Sequence, residues 1–208
     1  MAASSPWSII HAEREALADD LAGLNEAQWS SPSLLPRWSV RDVLAHMTAT
    51  AKTTPAAFFS RLAATGFRFN EMAEKNIARE NTGTPADLLA EFRRHSGATT
   101  HPPGPADTWL GETIVHSEDI RRPLGITHAY PMEAVTRVAD FYKRSNLLIG
   151  SKRRIAGLSL RATDTQWSTG SGPEVAGPAI SLVLAMTGRK QALDELSGEG
   201  LAVLRERP

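Results

Sequence analysis

Trp109-Leu110-Gly111-Glu112-Thr113-Ile114-Val115-His116-Ser117-Glu118-Asp119-Ile120 is the stretch on which the fold turns. At about 100° per residue, with Trp109 as origin, Ile120 and His116 fall about 20° to either side and Glu112 about 60° away. The stretch therefore reads as a helix, from about Ala106 to Leu124, that carries a histidine and a carboxylate on a face framed by large apolar side chains. A core imidazole hydrogen-bonded by a neighbouring carboxylate would explain the pair without chemistry. Spacing alone is weak evidence, because His11, His46, His95 and His116 each have a carboxylate four residues away, and such pairs are mostly surface ion pairs.

A second stretch, Trp38-Ser39-Val40-Arg41-Asp42-Val43-Leu44-Ala45-His46, alters that balance. Ser39 and Asp42 form a capping box. Val40, Val43, Leu44, Met47 and Ala51 then make an apolar stripe with His46 at its edge, able to reach a neighbouring helix. Two imidazoles and a carboxylate are a three-ligand set that leaves a divalent cation one open position for water or a ligand. The candidate metal ligands are His46, Glu112 and His116.

Outward from these stretches the first 150 residues read as helices. Ser5-Pro6 opens one that runs to about Asn25. Thr84-Pro85-Ala86-Asp87 caps another, which His101-Pro102-Pro103-Gly104-Pro105 stops. Met132 to Ile149 reads as a further helix. Beyond it, Leu158 to Thr163 and Gln166 to Thr169 alternate like a hairpin turning at Asp164. Pro178 to Met186 reads as a buried helix ended by Gly188, and Gly200 to Arg207 as a short terminal one. The expected architecture is mainly α: a four-helix bundle over residues 1–150 and a small α/β region over residues 151–208.

Composition narrows the function classes. The chain has 208 residues, 41% hydrophobic, with Lys+Arg and Asp+Glu both at 23. Zero formal net charge gives no global field toward phosphate backbones or anionic lipid, which disfavours nucleic acid as a partner. No apolar run is long enough to span a bilayer and no leader pattern opens the chain, so a cytoplasmic protein is expected. Cysteine is absent, which removes disulfides, thiolate ligands and a protein-borne sulfur nucleophile. Gly170-Ser171-Gly172-Pro173 lacks the spacings of a phosphate loop or nucleophile elbow and reads as a turn.

Trp38 through His46, and Glu112 through Gly125, together resemble the mycothiol-dependent maleylpyruvate isomerase family, within the DinB/YfiT-like superfamily. Leu160-Arg161-Ala162-Thr163-Asp164 and Trp167-Ser168-Thr169-Gly170-Ser171-Gly172 resemble the small C-terminal portion of actinobacterial members. The resemblance implies a DinB-like four-helix bundle in which His46, Glu112 and His116 hold a divalent metal, usually zinc. It further implies mycothiol as a thiol co-substrate, activated as thiolate by the metal. In such an isomerase the thiolate adds to the cis double bond of maleylpyruvate, the carbon-carbon bond rotates, and elimination gives fumarylpyruvate.

Related members are implied to transfer the thiol to small electrophiles, so fold and metal leave the reaction open. A metal-dependent protein that binds a small ligand or serves a stress response without turnover is the alternative, and a metal-free bundle with buried histidines a third reading. No catalytic residue is assigned. The family's substrate arginine has no secure counterpart among Arg161, Arg189 and Arg205, and Arg121 and Arg122 suit a helix C-terminus by charge alone. Asp42 and Asp119 are candidates to orient imidazoles, though capping already accounts for Asp42. His11, His95, His101 and His128 read as exposed. Metal identity and oligomeric state stay open.

Overall fold

Proline and threonine caps set out the N-terminal helices of the computed structural model, which describes residues 5–146 and 149–207. They are α1 (Pro6–Asp20), α2 (Glu26–Trp29), α3 (Val40–Lys52), α4 (Pro55–Ala64), α5 (Phe69–Glu80), α6 (Pro85–Arg94) and α7 (Ala106–Arg121). Both expected capping boxes are formed: Asp42 N–H donates to Ser39 Oγ at 3.2 Å and Ser39 N–H to Asp42 Oδ2 at 2.9 Å, and Thr84 and Asp87 repeat the arrangement. At α1 the proline lies at the first helical position as expected, but the Ser5 side chain makes no capping bond.

Residues 1–129 form one compact unit and residues 130–208 another. The sequence places this division at 150. The difference lies in α8 (Met132–Tyr142), which packs on α10 (Ala179–Met186) in the second unit. In the first unit α1 packs on α7, α7 on α3, α3 on α6 and α6 on α1, closing a four-helix bundle. Its core includes Leu17, Leu21, Val43, Leu44, Met47, Leu88, Phe92 and Ile120. α7 is buried nearly all round, its last turns included, because α1 and α3 cover it from both sides.

Helices α4 and α5 are additional to the sequence reading. None of the α4 side chains is buried, and Arg68, the residue before α5, makes no side-chain cap. The expected α1 and α7 each run a few residues too long, to Asn25 and Leu124 rather than Asp20 and Arg121. The helix expected over Met132–Ile149 ends at Tyr142, and its Leu147 and Leu148 lie outside the described residues.

In the second unit the expected hairpin is present. β1 (Ser159–Ala162) pairs antiparallel with β2 (Ser168–Gly170), in a register that sets Leu160 against Thr169. A third strand, β3 (Glu174–Gly177), adds parallel to β1 and gives the order β2-β1-β3. At four residues it is too short to be read from period-two alternation. The short helix α9 (Ser151–Arg154) precedes the sheet, while α10, a 3₁₀ turn at Lys190–Glu195 and α11 (Leu201–Glu206) follow it. The molecule is thus mainly helical with a small α/β region. Among the described residues no helix is long and apolar enough to cross a membrane.

Candidate functional site

His46, Glu112 and His116 all lie in the first unit, on the neighbouring helices α3 and α7. Over positions 109–121 of α7, Glu112 and His116 alone are not fully buried, and over positions 43–51 of α3 the same holds for His46. Three polar side chains therefore interrupt two otherwise buried helix segments. The His46 and His116 rings meet edge to face, 4.9 Å between centroids. His46 Nε2 lies 3.8 Å from Glu112 Oε1, too far for a hydrogen bond.

His116 does not bond the carboxylate four residues before it. Its Nδ1 pairs instead with Asp119 Oδ2 at 2.8 Å, and Asp119 is fully buried. An Nδ1–H donated to that carboxylate leaves the ring lone pair on Nε2, which is how a carboxylate prepares an imidazole to act as a ligand. Of the two carboxylates expected to orient an imidazole, Asp119 is the one in contact with a candidate ligand ring, whereas Asp42 is engaged by the Ser39 cap and by Asn81 Nδ2 at 2.6 Å. Trp38 flanks both imidazoles, with ring centroids 5.1 Å from His46 and 6.4 Å from His116.

Glu112 is the anomalous group. Both carboxylate oxygens are shielded from solvent and neither accepts a well-formed hydrogen bond. Burial pushes its pKa up, opposed by His116, by Arg14 and by a weaker contribution from the Thr50 hydroxyl. An unpaired buried carboxylate costs free energy unless something else compensates it. Two ligand atoms of one tetrahedral ion stand about 3.4 Å apart when each is about 2.1 Å from the metal, so the 3.8 Å between His46 and Glu112 is slightly wide. Among the described residues no group of three or more histidine and carboxylate side chains is drawn close enough to enclose an ion as it stands.

Sequence reasoning overlooked Arg14. It is 1% exposed on α1, with the Glu112 charge acting on it. The signal was available, since Ile10, Arg14, Leu17 and Leu21 follow one apolar stripe and Arg14 stands inside it. All four histidines read as exposed, His11, His95, His101 and His128, are partly buried instead: His11 Nε2 is shielded, and His128 Nε2 pairs with the buried Glu13 at 2.7 Å. The other arginines have structural partners. Arg121 is fully buried against Asp20 at 2.7 Å, a role beyond the helix-end charge expected of it, and Arg122 pairs with Glu118. Arg161 pairs with Glu174 and Arg205 with Asp194, while Arg189 donates to the Thr187 carbonyl.

Residues 10–101 match the family described as the mycothiol maleylpyruvate isomerase N-terminal domain. Over this segment the chain is similar to that family. The match takes in Trp38 to His46 and stops before Glu112. Two solved structures share the fold: the mycothiol-dependent maleylpyruvate isomerase and a histidine-to-alanine mutant of it. Their TM-scores are 0.64 and 0.65, each at 15% identity over 93% of this chain and 91% of that chain. Among curated proteins nothing matches.

Proposed function

We propose that the chain is a divalent-metal-dependent enzyme that uses mycothiol as thiol co-substrate in an isomerisation of the maleylpyruvate type. The observation that carries this reading is the Glu112 carboxylate, shielded, without a hydrogen bond, and facing His46 Nε2 at 3.8 Å. His46 Nε2, Glu112 and His116 Nε2 would hold the cation, and zinc is the family's usual choice. A bound divalent cation would keep a thiol sulfur as thiolate near neutral pH.

The chain's own residues account for the rest. Asp119 favours an Nδ1–H tautomer of His116, Trp38 packs against both imidazoles, and the buried residues of α3 and α7 on either side shield the ligands from water. The chain has no cysteine, so the sulfur must come from outside. Thiol transfer to another small electrophile would use the same residues, and the experiment separates the two.

The test is elemental analysis of protein purified without a polyhistidine tag, followed by incubation with mycothiol and maleylpyruvate. We expect stoichiometric metal and conversion to fumarylpyruvate that stops on chelation and is lost in His46→Ala. A mycothiol adduct with other electrophiles and no isomerisation would assign transfer instead. Metal and mycothiol binding without any turnover would make the protein a binding module, and absence of metal would end the reading.

A further inference from the structure

Arg14 carries a buried charge that the proposed function does not use. Its guanidinium donates through Nη1 to the Ala98 carbonyl at 3.3 Å, while Nε and Nη2, both shielded from solvent, have no hydrogen-bond partner. Arginine keeps its proton in proteins, so this position holds a positive charge on α1 beside α7. Glu112 is the carboxylate that acts on it electrostatically. Yet the two do not form the bidentate pair that a structural arginine and carboxylate ordinarily make: both Glu112 oxygens and two guanidinium nitrogens are unpartnered. Opposite charges buried on adjacent helices and left unjoined are what two ligands of opposite sign require, a cation for Glu112 and an anion for Arg14.

The neighbouring donors agree. His11 precedes Arg14 by three residues on α1, and Trp109 precedes Glu112 by three on α7, so each pair shares a helix face. His11 Nε2 and Trp109 Nε1 are likewise shielded and unpartnered, and the indole N–H can only donate. Aromatic rings connect the two rows: Trp7 lies 6.1 Å from His11 and 5.3 Å from His101, and His101 lies 5.6 Å from Trp109.

We propose that Arg14, with the ring nitrogens of His11 and Trp109, binds the carboxylate group of a small anionic substrate beside the metal ligands. The inference deepens the proposed function and rests on it for the adjacent cation. Once Glu112 neutralises part of a divalent charge, Arg14 loses the carboxylate that acts on it, and a substrate carboxylate restores the balance. The C-terminal arginines Arg161 and Arg205 are already paired with carboxylates, whereas Arg14 keeps two shielded guanidinium nitrogens to donate.

Maleate is the probe, titrated calorimetrically into the full chain with and without zinc. We expect binding by the wild type, no binding of the uncharged diamide, and an affinity at least about tenfold weaker in Arg14→Gln. That variant should keep its zinc uptake, which His46→Ala should lose. Trp109→Phe, which retains a packed ring and removes the N–H, should weaken maleate by roughly three- to tenfold. Wild-type protein that does not bind maleate, or equal affinity in a folded Arg14→Gln, would overturn the proposal; should Arg14→Gln not fold, equal affinity in Trp109→Phe would do so. A chain that takes up no zinc sinks the metal reading alone, and the maleate comparison on metal-free protein still decides for or against the carboxylate site.

Discussion

Glu112 and His116 stand one helical turn apart, yet each faces a different neighbour. His116 turns to the buried Asp119 at 2.8 Å, and Glu112 faces His46 on another helix. The consequence is a division of labour among carboxylates, in which Asp119 holds a ring and Glu112 stays available. Asp119→Asn keeps an acceptor but removes the charge that favours an Nδ1–H imidazole. Zinc affinity should fall about 10–100-fold, as measured by competition with a chelator of known affinity, while His46→Ala should lose the metal outright. An Asp119→Asn protein with unaltered zinc affinity would show that the contact merely packs His116.

At the level of elements, one lysine ties the cover of the bundle together. Lys52, at the end of α3, donates to Glu80 on α5 at 2.9 Å and pairs with Glu91 on α6 at 2.6 Å. Hydrogen bonds from Lys52 and Arg94 hold the Glu91 carboxyl down at about 2 against an ordinary 4.5. A carboxyl depressed in the folded state contributes stability above its unfolded pKa, and that stability is lost as pH falls from about 4.5 toward about 2. Lys52→Met should therefore lose roughly 1 kcal/mol near neutral pH and flatten the acid limb of denaturation in that window, read from urea midpoints against pH. An unchanged acid limb would show that Arg94 alone holds Glu91. The capping boxes at Ser39 and Thr84 were legible in the sequence because each needs only a side chain and its own backbone three residues on. Helix α4 was not, although Thr54-Pro55 offers the same cap and proline signal, and none of its residues joins the buried core.

For the molecule as a whole, metal binding and folding should be linked. All three candidate ligands belong to the compact unit of residues 1–129, so zinc at about 100 times its dissociation constant should stabilise that unit by about 2.7 kcal/mol. A thermal melt should show the shift in wild type and none in Glu112→Gln. By itself the sequence determined the helical class, the two main capping boxes, the C-terminal hairpin and the candidates His46, Glu112 and His116, because periodicity, caps and residue chemistry are local or chemical properties. Only the tertiary structure decided that His116 bonds Asp119 rather than Glu112, that α8 packs with the C-terminal elements, that β3 joins β1, and that Arg14 is buried on α1 against α7. Each of these depends on which surfaces meet across the chain, and burial sets the free-energy cost of an unpaired charge. Spacing along one helix does not encode that.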